Sequence, residues 1–313
     1  MSAPLAITLC GESSQAATLP VIDAHIHLYD PSRPQGVPWP EKENTALYQP
    51  TRPARYRKIA EPFGITGAIE VECSPWLEDN QWVLDVAEAD TLMVGTVGNL
   101  EPGKPEFPKQ LERFHRNPLF LGIRYGNLWG RDLRAELAKP AFIAGLKLLS
   151  QAGLTLDTVN PKPPLLSEFI RITDEVPDLR VVIDHLPQLD PPSEPKARRA
   201  FEANLRELGK RPKVFIKISE VLRRVDGRVP LDLSFYRPRL DQLYEAFGPD
   251  RVLYGSDWPN SDRWEPYAAV FRVVHEYFTA KGPAVAEKYF WKNSVAAYRW
   301  RRRDPKQPNP ETA

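Results

Sequence analysis

Cysteine is nearly absent from this chain: only Cys10 and Cys73 occur among 313 residues. Two thiols do not make a disulfide framework, so the core must be held by apolar packing. Long apolar runs are missing too. None approaches the roughly 20 residues needed to span a bilayer. Neither sign of charge dominates, with 42 Lys and Arg against 41 Asp and Glu. That balance gives no electrostatic reason to expect nucleic acid or a membrane surface as a partner. The expected partner is a small-molecule substrate, and self-association into a homo-oligomer is compatible with the composition. No Gly-x-Gly-x-x-Gly loop follows any predicted strand, which counts against a dinucleotide-binding fold. No positive charge precedes the short apolar patch from Pro4 to Cys10. The N-terminus therefore does not read as a secretory signal. The expected location is cytoplasmic, with export the alternative if that patch is the remnant of a leader.

What is abundant is proline. The 33 prolines are about twice the usual share, and they fall between periodic segments, as loop punctuation does. A content of 42% hydrophobic and 27% charged residues is ordinary for a globular chain with a large core. Predicted strands cover 21–27, 67–73, 91–99, 119–126, 154–159, 179–186, 213–219 and 251–257. Predicted helices lie between them, one of them, at 131–151, interrupted at Pro140. Two more follow at 264–281 and 284–300. Strand then helix, eight times over, predicts an α/β fold of the closed parallel (β/α)8 TIM-barrel type. An open doubly wound sheet is the alternative. The expected organisation is one barrel domain over 20–300, an N-terminal tail over 1–19 and a C-terminal tail over 301–313. In the latter, Arg301-Arg302-Arg303 reads as a solvated end.

Buried parallel strands should be almost continuously apolar. These break that rule at their C-terminal ends, at His25 and His27, Glu70 and Glu72, Asn99, Arg124, Asp157, His185, Lys217 and Asp257. In a barrel those ends line the active-site mouth. Charges there are costly to bury unless paired or used. Strict alternation puts His25, His27 and Asp23 on one face of the first strand, with Ile22, Ala24 and Ile26 on the other. Paired imidazoles can hold a divalent metal or polarise a carbonyl. Glu70 with Lys217 is a candidate structural ion pair. Trp39, in the proline-rich loop, either roofs a pocket or pins the loop to the body.

The segments Ile22-Asp23-Ala24-His25-Ile26-His27, Val182-Ile183-Asp184-His185-Leu186 and Tyr254-Gly255-Ser256-Asp257-Trp258-Pro259 resemble the amidohydrolase superfamily. The nearest branch is the group that contains sugar lactonases and the 2-pyrone-4,6-dicarboxylate lactonase. The resemblance implies a barrel hydrolase acting on a lactone ring, preferably of a sugar acid and next of a dicarboxylate. It implies His25, His27, His185 and Asp257 as the catalytic set. The same four are implied as ligands of one divalent metal, zinc, and metal-independent catalysis also occurs in the branch; Glu72 is a candidate extra ligand or a group that orients a histidine. Strand four offers Arg124 and strand five Asp157 where the binuclear members have a lysine and a histidine, which argues against a binuclear site. Arg124, Lys217, Asp157, Trp129, Trp76 and Trp258 are the expected substrate contacts. The competing functions are a metal-dependent non-oxidative decarboxylase of an aromatic acid on the same barrel, and a non-catalytic sugar-acid binder.

Overall fold

The computed structural model describes residues 19–159 and 162–313, so most of the expected N-terminal tail lies outside the described residues. Eight parallel strands follow in chain order around one sheet. They are β1 (Val21–Ile26), β2 (Ile65–Val71), β3 (Met93–Gly98), β4 (Phe120–Gly126), β5 (Thr155–Val159), β6 (Arg180–Ile183), β7 (Val214–Ile218) and β8 (Val252–Tyr254). The first and last meet just beyond their ends. Ile26 bridges Trp258 in parallel, the His27 N–H donates to the Trp258 carbonyl at 2.8 Å, and the Asp257 N–H donates to the His25 carbonyl at 2.8 Å. This contact turns the sheet into a (β/α)8 barrel and removes the open-sheet alternative, which would leave β1 and β8 as free edges.

Proline explains several helix starts. Pro53, Pro140, Pro195 and Pro283 open their helices, where a missing N–H costs nothing and the fixed φ suits the first turn. The helix expected over 131–151 is accordingly two, Leu133–Leu137 and Pro140–Gln151. The one expected over 284–300 is divided into Pro283–Glu287 and Asn293–Tyr298 by a wider turn at Lys288–Lys292.

The apolar residues form two shells. The outer shell packs helices against the sheet. The inner shell fills the barrel with Ile22, Ile69, Val94, Leu121, Val182, Phe215 and Leu253. Trp291, Tyr298 and Trp300 join it from the C-terminal segment. The N-terminal end of the barrel is thus plugged, which leaves the C-terminal ends of the strands as the mouth. The C-terminal tail is not simply solvated. Arg303 donates to the carbonyls of Ala87 (2.6 Å), Glu88 (2.9 Å) and Met93 (2.6 Å). Helix Leu77–Ala89 ends there with its free carbonyls, and a guanidinium satisfies them well. Among the described residues no helix is long and apolar enough to cross a membrane.

Candidate active site

The site begins with a departure from strict alternation. Ile22 and Ala24 point into the barrel, while Asp23 points out of it. Its carboxylate accepts from Tyr56 Oη (2.5 Å), Tyr267 Oη (3.3 Å) and the Ser256 N–H (2.9 Å). The register with β2 then slips between Asp23 and Ile26. One extra residue resets the side-chain parity, so His25 and His27 turn inward after Ala24. The expectation that Asp23 backs the two histidines on one face is corrected by this bulge.

Two other members arrive from beyond the strands. β6 stops at Ile183 and β8 at Tyr254, so His185 and Asp257 sit in loops. Both adopt left-handed backbone, with φ of 53° and 62°, a region that non-glycine residues seldom occupy. The result is a convergence on one carboxylate oxygen. Asp257 Oδ1 lies 3.0 Å from His27 Nε2, 3.3 Å from His25 Nε2 and 3.6 Å from His185 Nε2. All four residues are buried. Trp39 stands edge-on to His27, with ring centroids 5.7 Å apart.

Burial sets the charge states. It lowers the imidazoles of His25 and His185 well below their ordinary value, and His27 to about 4. It raises Asp257 to about 6 against the donors around it. The rings are therefore neutral at pH 7, as metal ligands must be. For His27 the tautomer follows from its partner. Nδ1 lies 2.7 Å from the Val71 carbonyl, which can only accept. The proton is therefore on Nδ1, and the Nε2 lone pair faces an Asp257 oxygen that also carries lone pairs. Two such atoms at 3.0 Å need a proton or a cation between them. His25 Nε2 is buried and has no hydrogen-bond partner. Its Nδ1 lies between Lys217 Nζ (3.3 Å) and Asp184 Oδ1 (3.6 Å). Donation to Asp184 leaves Nε2 free as a ligand, whereas acceptance from Lys217 puts the proton there. His25, His27 and Asp257 offer donor atoms within 4.8 Å of one another, and neutral imidazoles with one carboxylate suit a single divalent ion.

A family model described as amidohydrolase matches residues 22–300. The chain belongs to the amidohydrolase family. It is 29% identical over 244 residues to an L-fucono-1,5-lactonase from Burkholderia ambifaria, covering 77% of this chain and 80% of the relative. A second L-fucono-1,5-lactonase, from Burkholderia multivorans, is 24% identical over 285 residues, covering 88% of this chain and 94% of the relative. Among solved structures, an amidohydrolase from Burkholderia multivorans with bound zinc shares the fold. It superposes with a TM-score of 0.79 at 21% identity, over 90% of this chain and 99% of that one.

Not every expected contact of this amidohydrolase faces the mouth. Lys217 and Asp157 are fully buried beneath the imidazoles. Lys217 Nζ lies 2.8 Å from Asp157 Oδ2 and 3.0 Å from Asp184 Oδ1, and Tyr298 Oη donates to Asp157 at 2.5 Å. Lys217 and Tyr298 satisfy Asp157, so the assignment of Lys217 and Asp157 to substrate binding is corrected: with Asp184 they form an internal ion cluster. Lys217 makes no ion pair with Glu70 among the described residues. Glu70 lines a cavity with Asp79, Asn80 and Trp82 of helix Leu77–Ala89. Trp258 is corrected as well. It is fully buried, tilted against Tyr56 at 5.1 Å and covered by Arg55. Trp76 precedes helix Leu77–Ala89 and is 38% exposed, apart from the imidazoles' contacts.

Arg124 and Glu72 stand near the histidines, and Trp129 reaches the site through Glu72. Arg124 Nη1 donates to the Glu72 carbonyl at 3.0 Å, and its Nε lies 3.4 Å from Asp184 Oδ2. Trp129 Nε1 donates to Glu72 Oε2 at 3.2 Å. Two residues escaped sequence reasoning. Asp184 was visible only as a neighbour of His185, yet it touches Arg124, Lys217 and His25. Glu220, two residues past β7, lies with His185 and Asp257 in a further set of donor atoms within 4.8 Å. Burial, and then the charge of Asp257, pushes its carboxyl up to about 8. The available signal was its place just after a barrel strand.

Proposed function

We propose that this amidohydrolase opens the ring of a sugar-acid lactone by hydrolysis. The observation that carries the reading is the convergence of three imidazole Nε2 atoms on Asp257 Oδ1, at 3.0 to 3.6 Å. The kinship with two L-fucono-1,5-lactonases supports it. Asp257, in its ionised form, takes a proton from water, and the water oxygen attacks the ring carbonyl carbon. The ester C–O bond then breaks, and Asp257 returns the proton to the leaving alkoxide. Oxygen of the carbonyl gains negative charge before that bond breaks, and an imidazole that carries its proton on Nε2, as His25 does when its Nδ1 accepts from Lys217, would stabilise it. Arg124 and Trp129 are positioned to orient the ring through polar and apolar contact.

The donor set fits a divalent metal. His27 and Asp257, with His25 or His185, would hold it, and zinc suits neutral imidazoles with one carboxylate. When bound, such an ion polarises a carbonyl and acidifies water. The decarboxylase and binding-protein readings find no support in the two relatives, both of which carry lactonase names.

The test is a panel of lactones followed by proton release with a pH indicator, for the wild-type protein and Asp257→Asn. Hydrolysis of L-fucono-1,5-lactone that disappears in the variant is expected. Turnover of no lactone, or full activity in the variant, would overturn the reading.

A further inference from the structure

We propose that Glu220 and Arg263 form a subsite that reads hydroxyl groups on the substrate ring, so that the site selects polyhydroxylated lactones over bare ones. The proposal rests on the lactone hydrolysis proposed above. Glu220 has a left-handed backbone, with φ of 50°, an unusual conformation for this residue type that clusters at functional positions. Its side chain is buried, and the protein donors around it all reach the same oxygen. Arg263 Nη2 at 2.6 Å, Trp264 Nε1 at 3.4 Å and Asn260 Nδ2 at 3.4 Å all point to Oε1. Among the described residues none donates to Oε2.

The carboxyl is anchored at Oε1 and also lies against the Asp257 carboxylate; an oxygen to which no protein N–H donates keeps hydrogen-bonding capacity for a ring hydroxyl. Glu220 borders the reaction centre. A Glu220 oxygen lies within 4.8 Å of donor atoms of His185 and Asp257, and Asn260 Nδ2 also donates to Asp257 Oδ2 at 2.6 Å. Arg263 lies over the face of Trp264 at 4.7 Å, and its side chain is 45% exposed. The mouth here therefore offers a carboxyl, a guanidinium and an indole together. Ring hydroxyls can donate to the first and accept from the second, and sugar C–H groups can pack on the third. A lactone without hydroxyls satisfies none of the polar groups and leaves them desolvated.

The test compares kcat/KM for L-fucono-1,5-lactone and for δ-valerolactone in the wild type, Glu220→Ala and Arg263→Ala, with zinc content measured on each protein. The wild type should prefer the hydroxylated ring. Glu220→Ala should cut that preference about 30-fold, chiefly through KM, the size of a lost hydrogen bond to an ionisable group. Arg263→Ala, at an exposed position that folding tolerates, should cut it about tenfold by releasing the carboxyl. Zinc content should match the wild type in both. A preference within about threefold of wild type in Glu220→Ala would overturn the proposal. So would loss of zinc there, since that outcome makes Glu220 a ligand instead. A wild type that hydrolyses neither lactone would overturn the hydrolysis reading itself, and this proposal with it.

Discussion

Two polar layers lie inside this barrel, one above the other, and they are built on opposite principles. In the lower one, Lys217 faces Asp157 and Asp184, and Tyr298 completes Asp157. Lys217 is shared by the two carboxylates, Arg124 adds a second cation beside Asp184, and the four side chains are buried. In the upper one, His25, His27 and His185 are all turned toward Asp257 Oδ1. There the His27 Nε2 lone pair meets a carboxylate lone pair, and among the described residues His25 Nε2 has no hydrogen-bond partner. The lower layer is polar structure held by charge pairing, in which Asp157 is fully hydrogen-bonded and Asp184 is held by ion-pair contacts alone. The upper layer is left incomplete, which costs stability and is tolerated where a ligand completes it. Burial of a charged side chain is thus no guide to function until its partners are known.

The sharpest way to break this contrast is to exchange one residue in each layer. Asp257→Asn should lower kcat for lactone hydrolysis by about 10³-fold, the range of a lost general base. It should not lower the thermal midpoint, because it removes a carboxyl that burial disfavours. Lys217→Met should do the reverse. It leaves Asp157 buried without its cation and Asp184 with Arg124 alone, 3.4 Å away, at a cost of about 3–5 kcal/mol in urea unfolding. Equal stability losses in the two variants would erase the distinction.

A subtler probe is pH. Burial raises Asp257 to about 6, and only its ionised form accepts a proton. In metal-free protein kcat/KM should therefore fall as pH drops through 6, about tenfold per unit further down. Adding zinc after chelation should move that limb to lower pH, because a nearby cation favours the carboxylate. A limb that stays in place would put the ion elsewhere. The smallest effect is expected at the rim. Trp129→Phe removes the donor to Glu72 Oε2 and should raise KM by about fivefold, as the loss of one hydrogen bond does.

The barrel was legible because its signal is repetitive. Eight apolar strand segments, separated by helices and proline-marked loops, allow few other folds. The candidate site was legible in part, because His25, His27, His185 and Asp257 fall where strands end. Which of the remaining polar residues face the mouth was not. Alternation predicted Asp23 behind the histidines, and the β1 bulge reversed it. Lys217 and Asp157 looked like substrate contacts because each is a lone charge on its own strand. They are partners only because β5 and β7, on either side of β6, both turn these side chains into the barrel interior. Trp258, next to Asp257, is buried against Tyr56 and Arg55 rather than lining the mouth. Glu220 went unnoticed for the opposite reason: its importance comes from Arg263, Trp264 and Asn260, more than 35 positions away.

The order of strands and helices, the placement of helix starts at proline and the concentration of ionisable residues at strand ends were determined by the amino-acid sequence alone. They depend on local periodicity and on the missing N–H of proline, which act over a few residues. Which charges neutralise each other, which imidazole nitrogens are left free and which carboxyls lie against one another were decided only by the tertiary structure. Those properties arise between groups tens to hundreds of residues apart, and their energies change steeply over an ångström or two of separation.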